Sequence, residues 1–208
     1  MQKLKAHWLQ ILTHVGALLP LGILAWDYAQ NQLTANPIRE ITIRTGRSAI
    51  VLLLLSLACT PIYSLSGFQP VRRLRRPLGL YAFLYAGLHG LTFVGLDYGF
   101  DLALIGQELL EKRFVQVGVL AFLTLVPLAI TSTRGWVARL GKNWKRLHRL
   151  VYLAALLAGV HFLWAVKANV RVPLLYGAAL AVLLVVRIPW VQNGLRNLRR
   201  KVVDGRQS

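Results

Sequence analysis

The run W-K-R-L-H-R-L-V-Y-L-A-A-L-L-A-G-V-H-F-L-W-A-V-K, Trp144 to Lys167, decides how the chain is read. It is long and apolar enough to be one membrane-crossing helix, with His148 near its start and His161 near its end. An imidazole inside a lipid-spanning helix is costly to insert, so it marks a functional site. A third such histidine, His89, lies in another apolar run. Together they predict a metal centre buried in a helical bundle.

Working outward, six apolar segments stand out, at roughly 8–26, 46–65, 78–97, 115–132, 147–166 and 173–190. Each approaches the ~20 residues needed to cross a ~30 Å hydrocarbon core. The expected fold is therefore an all-α membrane protein, a bundle of six transmembrane helices over residues 1–190. Residues 191–208 form a short basic cytoplasmic tail. The first run follows Lys3 and Lys5, as a signal peptide would, but no small-x-small cleavage site clearly follows. It is read as a retained helix.

Composition agrees with the membrane class. Of 208 residues, 56% are hydrophobic, and the mean hydropathy is +0.52. The formal charge of +18 first suggests nucleic acid, but the basic residues lie between apolar runs and form no basic domain. Nucleic acid is excluded as a partner, and lipid is expected. With the N-terminus placed inside, the inner segments hold 17 basic residues and one acid, Asp204, whereas the outer segments hold 7 basic residues and six acids. That asymmetry places both termini in the cytoplasm. Cys59 is the single cysteine, so neither an intrachain disulfide nor a C-x-x-C-H haem attachment is available. Trp8, Trp26, Trp136, Trp164 and Trp190 fall near expected interfaces, where indoles sit for physical rather than catalytic reasons.

Depth selects a pair among the histidines. With Arg76 and Arg146 as inner edges, His89 lies 13 residues in and His161 15 residues in. At 1.5 Å rise per residue these depths are about 20 and 22 Å, so the two imidazoles share one level in the outer half of the bilayer. This suits two axial ligands on one haem iron, and a bis-imidazole haem is an electron carrier. The alternative is two histidines hydrogen-bonded separately to neighbouring helices. Small residues at four-residue spacing (Ala82, Ala86 and Gly90; Ala154 and Ala158; Ala155 and Gly159) would admit either close helix packing or a flat macrocycle.

His148 precedes His161 by 13 residues, which on an ideal helix turns it about 140° off the same face. It could ligate an inner haem, contact a quinone or flavin headgroup, or sit among interfacial charges. The partner for an inner haem is open: His14 on the first helix, or the region of Arg75 and Arg76, where arginine suits a propionate or phosphate better than iron. Arg47 opens the second helix on the outer side and would pair with a haem propionate or snorkel to headgroups. No constellation of nucleophile, acid-base pair or hydrolytic metal site is present in the sequence.

Several stretches resemble one family: R-R-P-L-G-L-Y-A-F-L-Y-A-G-L-H (75–89), P-L-A-I-T-S-T (127–133), L-G-K-N-W-K-R-L-H-R-L-V-Y (140–152) and H-F-L-W-A-V-K (161–167), with H-V-G-A-L-L-P (14–20) and T-G-R (45–47). They are similar to the MsrQ, or YedZ, family within the ferric-reductase-like transmembrane superfamily. The resemblance implies a multi-pass protein of the bacterial inner membrane carrying b-type haem, one or two per chain, and FMN. It implies haem ligands at His89, His148 and His161. It also implies electrons drawn from the quinone pool or a cytoplasmic flavin reductase. The implied acceptor is a periplasmic molybdopterin-containing methionine-sulfoxide reductase subunit, a heterodimer partner that repairs oxidised proteins. Catalysis on the final substrate would belong to that partner, docked on the outer acidic loop from Asp97 to Glu111. The sequence departs from the family at Lys112-Arg113-Phe114, where the usual R-P-Y lacks its proline. Alternatives are a ferric-chelate reductase, a quinone-linked cytochrome b anchor for another dehydrogenase, or a non-redox transporter or structural protein.

Overall fold

The computed structural model describes residues 2–166, 169–188, 190–194 and 197, with side chains from Trp8 onward. Among the described residues every regular element is helical. The longer helices are α1 (Gln2–Ala29), α2 (Pro37–Ser66), α3 (Pro70–Leu91), α5 (Arg113–Ile130), α8 (Leu150–Ala165) and α9 (Arg171–Val185). A π-helical turn, Thr92–Asp97, extends α3, and α4 (Leu102–Glu111) joins it to α5. Two short helices, α6 (Arg134–Leu140) and α7 (Lys142–Leu147), link α5 to α8.

Five stretches are long and apolar enough to cross a membrane: Trp8–Ala29, Pro37–Ser66, Pro70–Asp97, Arg113–Ile130 and Lys142–Ala165. The sixth expected segment forms α9, which at 15 residues is shorter. The basic tail falls almost wholly outside the described residues. Leucine, valine and isoleucine project outward around the bundle, among them Leu12, Leu19, Leu55, Leu123 and Leu175. That exposed apolar belt is what a lipid-solvated protein presents.

One expectation is corrected. Trp144 to Lys167 is not a single helix: α7 ends with His148 as its C-cap, and α8 starts at Leu150. The break is held by tertiary bonds. The Trp144 indole donates to the Thr131 carbonyl at 2.9 Å, and Trp144 stacks on His148 at 3.9 Å between ring centres. Upstream, Gly141 adopts φ 51°, a conformation that favours glycine, and turns the chain between α6 and α7. The 140° offset, which assumes a continuous helix, therefore does not apply.

The core lies where α2 and α3 pack along their length, with α1, α5, α8 and α9 around them. Beside two of the helix prolines, Pro20 and Pro61, a neighbouring side chain enters the backbone ladder. Tyr85 on α3, 1% exposed, donates its hydroxyl to the Ala17 carbonyl at 2.8 Å and accepts from the Leu21 amide at 3.0 Å. It is thus inserted into the α1 ladder beside Pro20. Pro61 has no N–H to give the Leu57 carbonyl four residues earlier. Arg187 supplies the missing donor, with Nη2 2.5 Å from that carbonyl and Nη1 2.6 Å from the Tyr152 hydroxyl. Transmembrane helices tolerate proline only where such partners exist.

Candidate functional site

His89 comes from the last turn of α3 and His161 from the C-terminal half of α8. The structure brings these two rings together, 5.9 Å between centres and at 78° to each other. Each ring is anchored by its Nδ1. That of His89 lies 2.9 Å from the Thr42 carbonyl on α2, and that of His161 lies 2.7 Å from the Phe114 carbonyl on α5. A carbonyl only accepts, so each Nδ1 carries the proton and each Nε2 keeps its lone pair. A ligating histidine is held in this way by its second nitrogen.

The spacing of the two rings is compatible with two donors to one iron. Two imidazole–metal bonds of roughly 2 Å each, plus the distance from nitrogen to ring centre, place such centroids on the order of 6 Å apart. Among the described residues no group of three or more His, Cys, Asp or Glu side chains converges. Two imidazoles leave a bare ion short of ligands, whereas a macrocycle supplies the other four.

His148 and His14 are not brought to this pair. His148 Nε2 lies 3.0 Å from the Thr131 hydroxyl, which itself donates to the Pro127 carbonyl at 2.6 Å. The hydroxyl has one hydrogen, so Nε2–H of His148 must be the donor and Nδ1 the free nitrogen. His14 is exposed, with Nδ1 2.9 Å from the Tyr81 hydroxyl. His148 instead lines a cavity of about 450 Å³ at the opposite end of the bundle from the acidic residues. Arg72, Arg75, Arg76 and Arg134 line it too. Arg75 and Arg76 were expected near a second cofactor; Arg72 and Arg134 were not singled out. The three residue pairs in ion-pair contact among the described residues, Arg44–Asp27, Arg44–Glu40 and Lys112–Glu108, involve none of the cavity arginines. The cavity is basic, and among the described residues no acid pairs with its arginines. Arg47 is exposed on α2, one residue past Gly46.

At the acidic end, the Asp101 side chain caps α4 by accepting from the Ala103 and Leu104 amides. Glu108 pairs with Lys112. The Lys112 ammonium holds the Glu108 carboxyl below its ordinary 4.5, and the same contact raises Lys112. Two of the four acids expected in the docking loop are thus already engaged. Helix α5 starts at Arg113 after an extended Lys112, without the family's proline.

These features define a class: a multi-pass membrane protein with two facing imidazoles inside the bundle and a basic cavity at one end. Residues 45–159 match the family described as ferric reductase like transmembrane component. The protein-methionine-sulfoxide reductase heme-binding subunit MsrQ of Xanthomonas axonopodis pv. citri is 46% identical over 183 residues, covering 85% of this chain and 84% of that protein. The protein of the same name from Herminiimonas arsenicoxydans is 46% identical over 179 residues, covering 85% and 82%. The chain belongs to the ferric-reductase-like transmembrane family and, within it, to the MsrQ subunits. It is a multi-pass bacterial membrane protein.

Proposed function

We propose that this chain is a membrane cytochrome b, with haem b held between His89 and His161, that carries electrons across the inner membrane. The observation that supports it most is the facing pair of imidazoles, 5.9 Å apart, with both Nδ1 atoms anchored on carbonyls. Haem supplies one-electron chemistry when bound; the protein sets ligation, burial and contact at each face. The name of the relatives, a heme-binding subunit of a methionine-sulfoxide reductase, agrees with that role.

In this reading, six helices cross the membrane with both termini in the cytoplasm, and the basic cavity opens on the donor side. Its size is ordinary for a cofactor site. It takes the second group, a further haem b or FMN, with Arg72, Arg75, Arg76 and Arg134 facing propionates or phosphate and His148 against the ring system. Electrons enter there from a quinone or a cytoplasmic flavin reductase. They leave from the opposite end to a periplasmic molybdopterin-containing subunit that reduces methionine sulfoxide, and Arg47 pairs with a propionate on that side.

The test is an optical spectrum of purified protein, oxidised and then dithionite-reduced, with haem and flavin counted per chain. A low-spin b-type spectrum is expected. Two haems per chain assign the cavity to haem, and one haem with one flavin assigns it to FMN. Folded protein that stays colourless after expression with ample haem would overturn the reading.

A further inference from the structure

The two histidines rest on their neighbouring helices in the same way. His89 bonds the carbonyl of Thr42 and its ring lies over Gly46; His161 bonds the carbonyl of Phe114 and its ring lies over Gly118. In both cases the glycine is four residues after the carbonyl. Within an α-helix the carbonyl of residue i already accepts from the amide of i+4, and the side chain of i+4 stands directly above it. Here each ring reaches that carbonyl through the space a side chain on residue i+4 would occupy. A Cβ on Gly46 would meet His89 Nδ1 at 3.0 Å and Cε1 at 3.1 Å. A Cβ on Gly118 would meet His161 Nδ1 at 2.7 Å and Cε1 at 2.9 Å. No other glycine inside a described helix has a histidine within 4 Å of its Cβ position.

We propose that Gly46 and Gly118 are ligand-positioning residues, two matched seats that let each imidazole dock on a helix carbonyl near the N-terminal end of the neighbouring helix, fixing its tautomer and ring plane. The seats couple α2 to α3 and α5 to α8, so each histidine is oriented by a helix other than its own. They also hold the rings at 78° to each other. Were the rings to keep that angle when both bind one iron, its two π orbitals would lie close in energy and the low-spin ferric EPR signal would be strongly anisotropic. Outer-shell partners of a ligating histidine typically contribute about 10–100-fold in metal affinity.

The inference rests on haem ligation by His89 and His161, and the experiment separates the two. Gly46→Ala, Gly118→Ala and Gly177→Ala are compared with His89→Ala and His161→Ala in the haem-loaded full chain. Gly177 lies on α9 with open space around it and serves as the control. Readouts are haem per chain, midpoint potential and the ferric EPR spectrum. Gly118→Ala is expected to lose haem affinity about tenfold or more. Gly46→Ala, with the longer approach, is expected to shift potential and EPR signal less, and Gly177→Ala to change neither. Should Gly118→Ala fail to fold, the potential and EPR signal of Gly46→Ala decide alone. Wild-type spectra and potential in both seat variants, or equal shifts in all three glycine variants, would overturn the seats. Full retention of haem in both histidine variants would overturn the ligation, whatever the glycines show.

Discussion

His89, His161 and His148 differ in which ring nitrogen is free. In the first two the proton is fixed on Nδ1 by a backbone carbonyl, and Nε2 keeps its lone pair. In His148 the Thr131 hydroxyl holds Nε2–H, and Nδ1 is the free atom. The residues should therefore separate by mutation. His89→Ala and His161→Ala are each expected to remove the low-spin signal of the haem they share. His148→Ala should leave that signal intact and alter only the group in the basic cavity. Optical spectra of the three variants check this. Loss of the His89–His161 haem in His148→Ala would show that the two sites are not independent.

At the same scale, Glu108 makes a pH prediction. Its carboxyl is lowered chiefly by the hydrogen bond from Lys112. A lowered acid contributes stability above its unfolded pKa and loses it as pH falls through the folded one. The contribution of the pair should be constant through neutral pH and vanish only below the ordinary carboxylate range. Hydrogen exchange of the α4 amides, compared between wild type and Glu108→Gln, should show the two converging as pH falls below the ordinary carboxylate range.

At the scale of elements, the sequence announced the helices but not the bonds between them. Hydropathy placed the apolar cores of α1, α2, α3, α5 and α8, because burying a ~30 Å span in lipid is a sum over about 20 residues and tolerates local irregularity. The break at His148 escaped the same reasoning. It depends on Trp144 and His148 both reaching Thr131, 13 and 17 positions away. Helix α4 escaped too, being only 10 residues long; its signal was Asp101, an N-cap residue before an apolar run. The closeness of His89 and His161 was legible from a constant rise per residue, although the count from Arg146 crosses the break at His148. Their seats were not, since nothing in T-x-x-x-G or F-x-x-x-G says which histidine will lie above it. The prolines left a half-legible sign: a proline at 61 orphans the Leu57 carbonyl, but only the fold names Arg187 as its donor.

Those interhelical bonds carry their own prediction. Tyr85→Phe keeps the ring but removes the oxygen between the Ala17 carbonyl and the Leu21 amide. Both backbone groups then lose that partner in an apolar setting. The expected cost is roughly 1–3 kcal/mol, read as a lowered thermal midpoint in detergent with the haem spectrum of the remaining folded protein unchanged. A variant as stable as wild type would mean that the α1 ladder closes on itself once the hydroxyl is gone.

For the whole molecule, direction is set by charge. The cavity arginines and His148 gather at one end, and the acids Asp27, Glu40, Asp97, Asp101, Glu108 and Glu111 belong to the segments at the other. Segments rich in arginine and lysine stay cytoplasmic during insertion, whereas acids influence orientation little. The cavity end should therefore face the cytoplasm, which makes it the entry side for electrons. Cys59 is 3% exposed and is replaced by serine to give a silent background. In that background Arg73→Cys tests the cavity end and Gln107→Cys tests α4; both positions are exposed and neither lines the cavity. A membrane-impermeant maleimide should label Gln107→Cys in intact spheroplasts and Arg73→Cys only in inverted vesicles. The opposite pattern would put the basic cavity on the periplasmic side. The His89–His161 pair would then lie nearer the cytoplasm, and the proposed direction of electron flow would reverse even if the haem were bound as argued.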